Sequence, residues 1–220
     1  MNKIKSAKIN KVLKHRKLKP FLKYFNSVKI SYGNKVLNVT GFDIYRRIIN
    51  INDSYYLNPV TFIHEITHFK DYYCNKRICT IPSPTGYHID YYINEKEYKL
   101  LKETLFKDIE IKEIERIMSK LEGLFNRYKY KEHLQAMLID IFNSISGGKY
   151  SIYIYGNVNT HNYRYYKDNV KRFIEVNANF TALTSICGYD KIKRIFTELK
   201  YTKLYDNLYR MHKIVSREYI

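Results

Sequence analysis

Within His64-Glu65-Ile66-Thr67-His68, two histidines stand four residues apart, with a glutamate directly after the first. On an α-helix, residues at that spacing lie about 40° from each other, so both imidazoles can point at one ion. The glutamate is displaced sideways, where its carboxylate can take a proton from a water held by the ion. Zinc suits this donor set. It takes nitrogen and carboxylate ligands in a tetrahedron and, with one position open, brings the pKa of a water towards neutrality. With 7 His and 12 Glu in 220 residues, an HExxH would arise by chance in roughly one such chain in eighty. The flanking residues therefore have to carry the assignment.

Those flanks predict a helix in the right place. Asn58-Pro59 is a start signal, with Asn as N-cap and Pro at the first helical position, where its missing N–H costs nothing. Phe62, Ile66, Phe69 and Tyr73 then form one apolar stripe, expected to face the core. His64 and His68 fall roughly opposite that stripe, and Asp71 falls on their side. Asp71 is a candidate to accept the second ring N–H of a ligand histidine; the alternative is an exposed Asp on the last turn. The corresponding alternative for the whole motif is a helix with two ordinary surface histidines. Upstream, Arg46–Asn52 alternates polar and apolar after Ile48 and predicts a strand leading into this helix. The edge of its sheet could pair with an extended peptide.

A third ligand must come from elsewhere. A helix predicted from about Asp168 carries Val170, Phe173, Ile174, Asn177 and Thr181 on one stripe, and Glu175, Ala178, Asn179 and Ala182 on another face. Small residues around one carboxylate let a second helix approach closely, so Glu175 is the candidate third ligand. The alternative is a solvated surface Glu. His161, Tyr163, Tyr165 and Tyr166 precede this helix on a polar loop, where a Tyr hydroxyl could donate to a developing oxyanion.

The rest of the chain predicts the elements that must hold these residues. Three helical patterns cover about 94–109, 112–128 and 130–145, stopped by Gly147-Gly148, with a weak strand at 150–155 and closing helices at 189–199 and 202–215. Residues 81–86, rich in Pro and Gly, read as a loop. No run approaches 18 apolar residues, and the basic N-terminus lacks the apolar segment and cleavage site of a signal peptide. Cys74, Cys79 and Cys187 form no CxxC, so reduced thiols are expected. A reducing, cytoplasmic compartment without export by a signal peptide is therefore expected.

Charge is uneven. Of the net +18, the first 42 residues supply 11 Lys or Arg and no acid, while the remaining 178 carry 28 basic against 21 acidic groups. The arm Lys3–Lys23 could touch nucleic acid. Against that, the chain has 28 Lys to 11 Arg, 24 Tyr and no Trp, a composition typical of an AT-rich genome. Val12, Leu13, Leu18, Phe21, Leu22 and Phe25 suggest that part of the arm packs as a basic amphipathic helix. The expected organisation is an arm or helix at 1–25 and one domain at 26–220, with a helical insertion at about 94–146.

Several patterns stand in one order: HExxHxxD at His64–Asp71, Asp140-Ile141-Phe142 ahead of Gly147-Gly148, His161 with Tyr165-Tyr166, and ExxAN at Glu175–Asn179. Together they resemble the metallopeptidase-like domain of phage minor head and head-morphogenesis proteins, and the catalytic domain of anthrax lethal factor and similar gluzincins. The resemblance covers roughly 36–199, through short motifs separated by unmatched sequence. It implies an α+β, zincin-like fold: a small mixed or antiparallel sheet packed on the HExxH helix, with a mostly helical C-terminal half. It also implies a zinc endopeptidase acting on a virion or host protein, with His64, His68 and Glu175 as ligands, Glu65 as base and Tyr165 assisting the oxyanion. Two positions depart from the pattern: Thr67 stands where many relatives have Gly, and Tyr166 where Trp is expected. Tyr163, Tyr165, Tyr166 and His161 all compete for the oxyanion role. Alternatives from other classes are a basic structural protein of a virion or nucleic-acid complex, whose zinc serves only the fold, and a peptidase-like toxin with a different target.

Overall fold

A chain whose 24 Tyr and 11 Phe are spread along its length can build aromatic cores in more than one place, and this one does. The computed structural model describes residues 3–33, 40–75, 78–83, 86–91, 95, 99, 103, 110–146 and 169–215. They fall into two compact units, Met1–Tyr92 and Ile93–Arg217.

In the first unit the basic segment folds as α1 (Lys3–Leu13), a 3-10 helix (Arg16–Phe21) and a short α2 (Leu22–Phe25). His15 caps the 3-10 helix by accepting from the Lys17 N–H at 3.3 Å. Ile9, Leu18, Tyr24 and Phe25 are buried, so the segment is held by these apolar residues and shows Lys8, Lys11, Lys14, Lys19 and Lys23 to solvent. Three strands follow: β1 (Lys29–Tyr32), β2 (Gly41–Asp43) and β3 (Ile48–Ile51). β3 is central, parallel to β1 and antiparallel to β2, with Ile30 opposite Ile49 and Phe42 opposite Ile49. The strand predicted to lead into the helix is therefore the middle of the sheet, and β1 and β2 form its edges. Ile49, Asn50 and Ile51 are all buried, as expected of a central strand covered on both faces.

Helix α3 (Pro59–Phe69) starts where predicted. Asn58 Oδ1 accepts from the Thr61 N–H at 3.0 Å, and its Nδ2 donates to the Tyr55 carbonyl at 3.0 Å. The 3-10 helix, α2 and β2 all pack against α3, with Phe25 beside Phe62 and Phe42 beside Phe69, each pair 5.9 Å between ring centroids. Every residue of α3 is buried. The expectation of one buried face and one open face is corrected here, because α3 is covered all round.

The predicted loop at 81–86 is also corrected. Its residues 81–83 and Gly86 are strand, in the antiparallel pair β4 (Ile78–Ser83) and β5 (Gly86–Tyr91), with Pro82 opposite Tyr87, while 84 and 85 lie outside the described residues. In a two-stranded ribbon each strand is an edge, which is where a strand tolerates proline.

The second unit is helical: α4 (Ile111–Leu124), α5 (Lys131–Ile145), α6 (Asn169–Cys187), α7 (Tyr189–Glu198) and α8 (Thr202–Val215). α6 packs along α5 and also carries α7 and α8. It ends at Gly188, whose φ of 87° is a left-handed conformation that glycine adopts without strain. Arg116 on α4 donates to Glu113 and, at 2.8 Å, to the Leu199 carbonyl; the Tyr201 hydroxyl donates to Glu113 at 3.0 Å. These bonds tie α4 to the turn between α7 and α8. The architecture is α+β, a small mixed sheet followed by a helical C-terminal half. The predicted 150–155 strand and nearly all of the 94–109 helix lie outside the described residues. No described helix is long and apolar enough to cross a membrane.

Candidate metal centre

The helical spacing of His64 and His68 brings their rings together edge to face, with centroids 4.7 Å apart and planes at 87°. Their Nε2 atoms lie 3.1 Å from each other. Two ligands about 2.0–2.1 Å from a zinc ion at the tetrahedral angle are about 3.3 Å apart, so a small rotamer change admits the ion. Both rings are buried, as is Glu65. Two buried imidazoles with facing nitrogens can share one proton or one cation, but not carry a full charge each. One ligand atom from each of His64, Glu65 and His68 lies within 4.8 Å of the others, and together they could hold a metal ion. The two histidines offer the nitrogen donors that a divalent metal such as zinc takes, with the Glu65 carboxylate beside them.

Local structure explains how the rings are held. Thr67 is buried, and its hydroxyl donates to the Ile63 carbonyl at 2.7 Å, so this departure from the resembled pattern is absorbed inside the helix. Directly after Phe69 the chain widens into a π-helical turn, Lys70–Cys74, closed by the Asn75 N–H to the Lys70 carbonyl at 2.9 Å. Such turns are rare and concentrate at functional sites. The turn carries Asp71, which is 1% exposed and accepts from Asn75 Nδ2 at 3.1 Å. The alternative of an exposed Asp71 is thereby excluded.

A second set of contacts pins the same turn. The Tyr73 hydroxyl donates to the Ile44 carbonyl, its ring stacks on Phe69 at 5.4 Å, and the Arg47 guanidinium lies 4.2 Å over it. Arg47 itself sits at φ 54°, in the left-handed region, at the end of the β2–β3 turn. Asp43 Oδ1 accepts from the Arg46 N–H at 2.9 Å to close that turn. None of this was read from the sequence. Asn75 could have been found, since it stands four residues after Asp71; Arg47 and Ile44 are too distant along the chain.

Glu175 lies on α6. From Phe173 to Thr184 every residue is buried except Glu175, which is half-buried. It is therefore not the fully solvated surface residue of the alternative reading. Tyr163, Tyr165, Tyr166 and His161 lie outside the described residues. The same helix builds a polar cluster of its own. His212 on α8 presents Nδ1 to Thr181 Oγ1 at 3.3 Å and Asn177 Oδ1 at 3.4 Å, and Nε2 to the Tyr189 hydroxyl at 3.0 Å. Because Thr181 already donates to the Asn177 carbonyl at 2.7 Å, its oxygen can only accept. Nδ1 is therefore the ring nitrogen that donates towards Thr181 and Asn177. Compared with protein-family models, curated proteins and solved structures, the chain gives no match.

Proposed function

We propose that this chain is a zinc-dependent metalloendopeptidase, with His64 and His68 as ligands and Glu65 as general base. The observation that carries the reading is the 3.1 Å separation of two buried Nε2 atoms with a buried carboxylate beside them. The ordered motifs that resemble phage head-morphogenesis peptidases and lethal-factor-like gluzincins supply the zincin-like fold and the reaction class. On the same grounds Glu175 is the third ligand and Tyr165 the oxyanion donor, with Tyr163, Tyr166 and His161 as its competitors. The substrate on this reading is a protein of the virion or host of a phage or mobile element.

Held by His64, His68 and Glu175, zinc would polarise the scissile carbonyl and lower the pKa of a water. Glu65 takes a proton from the attacking water and delivers it to the leaving nitrogen. The covered helix excludes bulk water from the pair, which strengthens each electrostatic contact. A tyrosine hydroxyl donates to the oxygen on which charge develops.

Metal analysis of the purified chain, combined with Glu65→Gln, tests the reading. One zinc per chain is expected, retained by the variant while peptide cleavage is lost. Absence of stoichiometric metal at neutral pH sinks it. Burial of α3 on every side favours one competing reading, a metal that only braces the fold. Under that reading chelation lowers the melting temperature, but no cleavage of any protein accompanies the metal.

A further inference from the structure

The surface of the segment from α1 to α2 carries Lys8, Lys11, Lys14, Arg16, Lys19 and Lys23, all exposed. Lys8 and Lys11 on α1, and Lys14 just past its end with its N–H still bonded to the Asn10 carbonyl, recur every three residues and span about 9 Å along the axis. Ile9, Leu18, Tyr24 and Phe25 are buried beneath them, while Leu22 is exposed among the cations. The segment is therefore a folded basic surface, packed through its 3-10 helix and α2 against α3, and not a loose tail.

Two features separate this surface from a composition effect. An AT-rich genome raises Lys, yet it does not by itself remove acids: at the chain's own frequency of 21 in 220, about four acidic residues are expected among the first 42, and none occurs. Like charges at helical i, i+3 spacing also repel, and no neighbouring acid on these elements relieves them. An isolated protein has no need of such an arrangement, whereas a polyanion would neutralise it.

We propose that this face binds the phosphate backbone of nucleic acid without regard to sequence. A linear polyanion with about one charge per 1.7 Å of duplex matches a row of cations along a helix. An anionic membrane fits less well. Helices that lie on membranes expose an apolar face, whereas Ile9 is buried and Val12 and Leu13 are half-buried, and among the described side chains of the segment Leu22 is the one large apolar residue left exposed. The surface has no base-reading module, so specificity is not expected. The inference stands whether or not His64 and His68 bind metal.

Fluorescence anisotropy of the full chain with a short mixed-sequence DNA duplex, titrated over salt, tests it. Neutralising about four phosphates gives a slope near −3.6 in log K against log salt, or roughly 100-fold weaker binding from 50 to 200 mM. Lys8→Gln/Lys11→Gln/Lys14→Gln should flatten that slope by about 2.7, with circular dichroism and metal content unchanged. A matched triple variant on the helical unit, Lys112→Gln/Lys120→Gln/Lys131→Gln, should leave the slope as it was. No binding at low salt overturns the proposal, as does an equal effect of the two variants. Preference for phosphatidylserine vesicles over DNA overturns it in favour of a membrane partner.

Discussion

His64 and His68 share their Nε2 contact because helical geometry brings positions four apart together, and that is why this pair was legible from sequence alone. Asp71 was legible only in part: its side of the helix could be read, but not its burial or its bond to Asn75. Removing that carboxylate takes one acceptor from the buried Asn75 amide. Asp71→Ala should therefore cost about 1–3 kcal/mol of stability, read from chemical denaturation. If Asp71 also orients a ligand histidine, zinc competition should show an affinity loss on the order of 10–100-fold. Unchanged affinity alongside lost stability would confine Asp71 to bracing the turn. His64→Ala and His68→Ala should each abolish stoichiometric zinc while Glu65→Gln keeps it, as measured by metal analysis. Metal retained by both histidine variants would remove the site.

At the scale of elements, periodicity and caps gave the starts of α3 and α6 and both ends of α5, α7 and α8 close to those observed, because each signal is local. Asn58 makes the point quantitatively. Its side chain satisfies the Thr61 N–H and bridges to Tyr55, so Asn58→Ala should cost roughly 0.5–2 kcal/mol in thermal or denaturant unfolding. No loss there would mean that packing alone fixes the start of the helix. What was not legible depends on contacts between distant segments. Pro82 and Gly86 read as a loop because their pairing with each other's strand cannot be seen in either one. The place of β3 at the sheet centre depends on β1, which lies about 20 residues away in the chain. The arm belongs here too. Leu18 is fully buried in an element that packs on α3, so Leu18→Ala should destabilise by about 2–5 kcal/mol. Deleting residues 1–23 should abolish zinc binding together with the fold, observed as lost circular dichroism and lost metal; a truncated chain that keeps both would return the segment to an appended arm.

For the molecule as a whole, net charge predicted partners but said nothing of where the chain would divide into units, since that depends on which apolar faces meet. The helical unit also sets a pH limit that composition does not reveal. Burial pushes the Tyr201 phenol up to about 12, helped by its bond to Glu113; burial likewise raises Tyr205 to about 12, helped by the nearby Tyr209 and Tyr189. A phenol whose pKa is raised on folding holds its proton more tightly in the folded state. Its contribution is complete below about pH 10, the unfolded value, and is lost as pH rises through about 12. The sign follows from protonation: the unfolded chain binds fewer protons across that window, so rising pH favours unfolding. Helical circular dichroism should therefore fall between about pH 10 and 12, together with the appearance of tyrosinate absorbance from these residues. Tyr201→Phe removes one of the two groups and the bond to Glu113. Its stability should be lower than that of the parent at neutral pH, and should fall less steeply with alkali. If the variant and the parent lose stability with the same slope, Tyr201 is not held protonated by the fold, and the tie between α4 and the α7–α8 turn rests on Arg116 alone.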